Sequence, residues 1–98
     1  MPRPTQKQID AEVKLLEKMK PKILRRSLFG ENHHAAIDAH ATIDAQIYVL
    51  SREPAEDDIW NRYGDNTVGI GSAALDARQW LDGETDEKPS DGWRELIR

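Results

Sequence analysis

Helix-forming patterns recur along the whole chain. Apolar residues fall at intervals of three and four, the spacing that one face of an α-helix requires. No stretch alternates apolar and polar residues for long enough to predict a β-strand. The sequence therefore predicts an all-α protein, a compact bundle of four or five short helices. A weak similarity between the stretches that start at Ile43 and Leu75 would suit two stacked helical hairpins.

The chain is short and only moderately apolar. It has 98 residues, of which 38% are apolar and 33% are charged. A chain of this length forms one small domain with a thin core. We expect a basic N-terminal helix and segment (1–30), a helical core (31–83), and an acidic loop with a short C-terminal helix (84–98). Because the sequence has no cysteine, disulfide scaffolds, thiolate nucleophiles and sulfur-ligated zinc sites are excluded.

The first helix is predicted to begin after Thr5. Thr5 and Gln8 have the spacing of a capping box, in which each side chain bonds the backbone N–H of the other residue. Proline inside a helix removes one hydrogen bond and clashes with the preceding turn, so we expect Pro21 to end or kink this helix near Lys20. Four apolar residues of the helix share one narrow stripe, Ile9, Val13, Leu16 and Ile23, and Met19 lies beside it.

Local start signals predict two further helices. Asn32 is a suitable N-cap for an alanine-rich helix over 33–50, which we place at the centre of the bundle because small side chains allow close helix packing. Pro54 and the acidic residues that follow it favour the start of a short third helix, which runs to about Tyr63.

The fourth helix is predicted from about Ser72 to Asp82, with Gly83 as its C-terminal cap. Just before it, Gly69 and Gly71 fit the GxGxxA pattern of dinucleotide-binding turns. That turn needs a preceding β-strand, and the sequence predicts a turn there instead. We therefore interpret the two glycines as a flexible or tight turn ahead of the helix, and we expect no cofactor.

Three of the six aromatic residues are tryptophans, at positions 60, 80 and 93. A tryptophan buries a large apolar area, so in a domain this small Trp60 and Trp80 are predicted to anchor the core. Trp93 is predicted to do the same. Because it lies in a short C-terminal turn, contact with a partner is its alternative role.

Charge is unevenly distributed. Residues 1–30 carry eight basic and three acidic side chains, whereas residues 31–98 carry six and fifteen, so the two parts have formal charges of +5 and −9. No acid lies between Lys18 and Gly30. A basic segment of this kind can bind an acidic surface, or it can neutralise the acidic part of its own chain. The candidate binding residues are Lys18, Lys20, Lys22, Arg25 and Arg26.

The histidines give the nearest approach to a metal-binding pattern. His34 with Asp38, and His40 with Asp44, have the i,i+4 spacing that places two ligands on one helix face. Each pair supplies only two ligands, and an ordinary hydrogen bond explains both pairs. We therefore expect no metal site. No serine lies in a nucleophile-elbow pattern, and the small core leaves little room for a catalytic pocket, so we expect no enzymatic activity.

These observations predict a small non-enzymatic protein-interaction or regulatory module. The partner is either another protein or a second copy of the chain, which would bind the basic segment or the amphipathic first helix. The alternatives are nucleic-acid contact through the same basic residues and an acidic decoy that occupies a nucleic-acid-binding protein. With no secretory leader or long apolar run, we expect a soluble cytoplasmic protein that does not enter membranes.

Overall fold

The protein is a bundle of α-helices. The computed structural model describes residues 3–28, 33–63 and 68–97, and the side chains of 3–23, 39–63 and 70–93. Within these ranges there is no β-strand, so the all-α prediction is confirmed. The helices are α1 (Gln6–Leu28), α2 (His33–Arg52), α3 (Glu56–Tyr63) and α4 (Val68–Leu81), followed by a C-terminal 3₁₀ segment (Pro89–Ile97).

The predicted capping box begins α1. The Gln8 N–H donates to the Thr5 hydroxyl oxygen at 3.2 Å, and the Thr5 N–H donates to the Gln8 side-chain oxygen at 2.8 Å. Both residues thus satisfy backbone donors that the first helical turn leaves without partners.

Pro21 does not end α1, which continues to Leu28, so the end predicted near Lys20 is wrong. The proline ring lies on the exposed side of the helix, where it displaces nothing in the core. Met19 before it and Ile23 after it are both buried. Burial of the two apolar residues favours helix on both sides of the proline, and this offsets the single backbone hydrogen bond that proline removes.

The alanine-rich helix α2 begins at His33 as predicted and extends to Arg52, and the predicted N-cap Asn32 lies outside the described residues. Glu53 follows it with φ 47°, a left-handed conformation, and its N–H donates to the Val49 carbonyl at 2.8 Å. Pro54 then prevents the helix from continuing. The Glu53 carboxylate binds Arg3, which ties the residues before α1 to the end of α2.

Helix α4 begins at Val68, four residues before the predicted start near Ser72. Gly69 and Gly71 lie inside the helix, so their interpretation as a turn ahead of it is wrong. The predicted C-terminal cap is confirmed, since Gly83 has φ 78° and its N–H donates to the Trp80 carbonyl at 3.1 Å. The Glu84 N–H reaches the Gln79 carbonyl at 2.9 Å, which completes a Schellman motif.

Packing is organised around α2 and α4. Helix α1 packs on α2, α2 packs on α4, and the short α3 packs on α4, while the C-terminal segment lies against α1 and α4. This arrangement has the form of two helical hairpins that meet along α2 and α4. The buried core consists of Ile9, Leu16, Met19, Ile23, Ile43, Ala45, Val49, Leu50, Ile59, Ala74, Ala77, Trp80 and Leu81.

The three tryptophans occupy different environments. Trp80 is buried in the core as predicted, and Trp93 is partly buried against it. The prediction for Trp60 is wrong, because its side chain is 49% exposed. Ile59 and Tyr63, one turn apart, face the interior from α3. Successive residues of a helix are about 100° apart, so Trp60, which directly follows Ile59, lies outside the stripe that faces the interior.

Candidate functional site

The outer side of α1 carries a line of lysines. Lys7, Lys14, Lys18 and Lys22 are all exposed, and we call these four residues the basic face. Their spacings of seven, four and four residues bring them to one side of a helix, opposite the stripe that contains the fully buried Leu16. At 1.5 Å per residue the line is about 22 Å long. Helix α1 thus presents an apolar side to its own core and a cationic side to the surroundings.

The residues predicted as a binding segment do not all contribute to this face. Lys18 and Lys22 do. Lys20 lies nearer the interior and forms an ion pair with Asp44 of α2, so it neutralises an acid of its own chain. Arg25 and Arg26 belong to α1, but their side chains lie outside the described ranges. The structure therefore divides the predicted segment into exposed lysines and one lysine that joins two helices.

Sequence reasoning missed Lys7 and Lys14. It selected a run of chain without acids, whereas the surface follows the helical period through Pro21. Lys7, Lys14 and Lys18 all lie in the helix predicted before Pro21, so their spacing alone would have identified them as one side of it. Of the acids of α1, Glu12 is buried, whereas Asp10 and Glu17 are exposed and line the same surface hollow as Lys14. The four lysines still outnumber the two exposed acids.

Glu12 is a buried polar residue that no local sequence pattern indicated. Its side chain is only 5% exposed and accepts hydrogen bonds from the Ser90 N–H at 3.1 Å and the Ser90 hydroxyl at 3.0 Å. Ser90 is fully buried and lies 78 residues away along the chain. The carboxylate therefore fixes the start of the C-terminal segment to α1.

A second polar contact, which is partly buried, holds the same segment to α2. The indole N–H of Trp93 donates to the Gln46 side-chain oxygen at 2.8 Å, and Gln46 is 5% exposed. Trp93 thus packs within the fold and satisfies its polar atom there, as buried indoles usually do.

An arginine and tyrosine cluster joins α2 to α3. The rings of Tyr48 and Tyr63 meet edge to face, with centroids 6.2 Å apart and an interplanar angle of 76°. The Arg62 guanidinium lies 4.3 Å from the Tyr48 ring centroid, and Arg52 lies 5.7 Å from it. These contacts orient α3 and leave Trp60 on its outer flank.

Where the structure describes the histidine patterns, His40 lies beside the acid four residues after it. The His40 Nδ1 is 3.4 Å from the Asp44 carboxylate, which also binds Lys20. His33, His34 and Asp38 lie outside the described side chains. Among the side chains that the structure describes, no three histidine or acidic groups are close enough together to hold a metal ion.

A cleft of about 270 Å³ lies between α2, α4 and the C-terminal segment. Its lining includes Gln46 and Trp93, together with Asp76, Glu87 and Lys88. Because charges of both signs line the cleft, it does not concentrate one potential in the way the outer side of α1 does. The basic face is therefore the stronger candidate for recognition.

No helix in the described ranges combines the length and apolarity that crossing a bilayer requires. Comparison of the sequence with protein-family models gives no match, and neither do comparisons with curated proteins and with solved structures.

Proposed function

We propose that this chain is a small non-enzymatic binding module that recognises an acidic protein surface through the basic face. One observation carries the proposal. The apolar side of α1 is used by the fold, while the lysines on its opposite side are exposed and form no ion pair within the described part of the chain. Exposed charges that do not serve the fold are available for a partner.

The spacing of the lysines favours a helical partner. Lys14, Lys18 and Lys22 recur every four residues, about 6 Å along the axis, and acids with the same spacing on a partner helix would meet them in register. Interactions of this kind speed encounter and select partners by charge, in the manner of e and g positions in coiled coils.

The overall charge favours protein over nucleic acid as the partner. The whole chain has a formal net charge of −4, whereas nucleic-acid-binding domains are typically strongly basic. The acidic part of the chain would repel a phosphate backbone that extended beyond α1.

A labelled acidic helical peptide with glutamates at every fourth position tests the proposal by fluorescence anisotropy. We expect binding at low salt that weakens as salt rises, because screening acts on exposed charges. The double variant Lys14→Glu/Lys18→Glu should bind about tenfold more weakly or worse. The control Lys88→Glu changes an exposed lysine outside α1 and should change the affinity less than about twofold.

Two results would overturn the proposal. One is equal binding of the peptide by the native chain and the double variant. The other is tighter binding of a duplex DNA than of the peptide, with a salt dependence that the double variant reduces, since this would make the lysines a phosphate-binding surface.

A further inference from the structure

The exposed Trp60 is an apolar surface that the fold leaves uncovered. Half of a tryptophan side chain amounts to roughly 100 Å² of largely apolar area facing water. Exposed aromatic residues of this size are enriched at the centres of protein interfaces. Trp60 is therefore a candidate contact for a binding partner. The residues beside it on α3 indicate the chemical class of that partner.

Two acidic residues lie one helical turn before this tryptophan on α3. Glu56 and Asp57 precede Trp60 by four and three residues, and both are exposed. Side chains on a helix lean toward its N-terminus, so the indole lies over the turn that carries these two carboxylates. We call Glu56, Asp57 and Trp60 the Trp60 face. It suits a cation whose alkyl stem packs on the indole while its charged end meets a carboxylate.

The same chain carries a matching cationic surface. Lys14 and Lys18 are separated by four residues, as are Glu56 and Trp60, so the two helices present their groups with the same spacing of about 6 Å. The basic face and the Trp60 face are thus complementary in charge and in spacing.

The fold separates the two surfaces. Helix α1 packs chiefly on α2, whereas α3 packs chiefly on α4. A contact between the basic face of one copy and the Trp60 face of another would therefore join unlike surfaces. Such a contact repeats from copy to copy as a ring or an open chain when one pair of faces meets, and closes as a two-fold dimer when both pairs meet at once.

We propose that the Trp60 face binds the basic face of a second copy of this chain, so that copies associate head to tail. The inference rests on the proposed function, because it makes a second copy one acidic partner of the basic face. A single helix-on-helix contact is a small interface, and such interfaces are weak. Association is therefore expected at high protein concentration and low salt.

Sedimentation velocity with the full chain tests the inference. The average mass of the native chain should rise above the monomer mass of 11.2 kDa with concentration at low salt, and return to it at high salt. The variants Glu56→Lys/Asp57→Lys and Lys14→Glu/Lys18→Glu should each stay monomeric alone. An equimolar mixture of the two should associate again, because every α1 then meets an α3 of opposite charge.

The variant Glu84→Lys/Glu87→Lys is the matched control, since it makes the same change in net charge at exposed positions outside α3. It should associate like the native chain. Trp60→Ala should lose association while keeping the helical circular dichroism, and if it fails to fold, the charge variants decide the question. A native chain that stays monomeric at high concentration, or a mixture that fails to associate, would overturn head-to-tail docking.

The two proposals fail in different ways. If the native chain stays monomeric but binds the acidic peptide, only the second-copy inference is wrong. If the chain associates yet Lys14→Glu/Lys18→Glu has no effect on either association or peptide binding, the assignment of the basic face as the binding surface is wrong.

Discussion

Glu12 links α1 to the C-terminal segment through a buried carboxylate, and its replacement tests that link at the scale of one residue. Glu12→Ala leaves the N–H and hydroxyl of Ser90 buried without acceptors, so we expect the free energy of unfolding to fall by about 2–4 kcal/mol. Glu12→Gln keeps one acceptor oxygen and should lose less. Urea denaturation measures both. The control Glu17→Ala, at an exposed position of the same helix, should change stability by less than about 0.5 kcal/mol. Equal losses at positions 12 and 17 would contradict this role.

The tryptophans make a second test, because two residues of one type occupy opposite environments. Trp80 is 6% exposed and Trp60 is 49% exposed. We expect Trp80→Ala to lower the free energy of unfolding by about 3–5 kcal/mol and Trp60→Ala by less than about 1 kcal/mol. Denaturation of the two variants beside the native chain checks the difference. A larger loss for Trp60→Ala would mean that Trp60 is a core residue after all.

These residues mark the limit of what the sequence could predict. Caps and turns depend on neighbours within one helical turn, and both Thr5 with Gln8 and Gly83 were predicted correctly. The burial of Glu12 depends on Ser90, which is remote in sequence. No local pattern indicates which side of α3 other helices cover, so the type of residue alone assigned Trp60 to the core.

At the scale of the element, α1 continues through a proline because the helix buries apolar residues on both sides of it. Pro21→Ala restores a backbone N–H that can bond the preceding turn, and the exposed position lets alanine fit without a clash. We expect the free energy of unfolding to rise by about 1–3 kcal/mol. Part of this gain is offset because proline restricts the unfolded chain more than alanine does. The melting temperature should rise by several degrees. A lower melting temperature would show that the end of α1 depends on the proline.

The end of α4 gives a second element-scale prediction. Gly83 has a positive φ that residues with a Cβ adopt only with strain, so Gly83→Ala should lower the free energy of unfolding by about 1 kcal/mol. A Cβ added at Gly92 meets nothing within 4 Å, which makes Gly92→Ala a control expected to change stability by less than about 0.5 kcal/mol. Chemical denaturation compares the two. A neutral Gly83→Ala would contradict the Schellman cap.

At the scale of the whole molecule, the fold converts a difference in charge along the sequence into separate surfaces. The sequence showed the imbalance between residues 1–30 and 31–98, and it predicted the helices that carry it. It did not show that Lys20 pairs with Asp44, because that contact depends on the packing of α1 on α2. Lys7 and Lys14 share a side of the predicted first helix with Lys18, and only Lys22 joins the basic face because α1 continues through Pro21.

The central claim is that the outer side of α1 is a recognition surface. Titration of the isotope-labelled chain with the acidic helical peptide, followed by two-dimensional NMR of its amides, tests it most directly. We predict that the amides that shift at low salt cluster on the exposed side of α1 from Lys7 to Lys22, and that the shifts disappear at high salt. Shifts centred instead on the cleft between α2, α4 and the C-terminal segment, or no shifts at low salt, would contradict the claim.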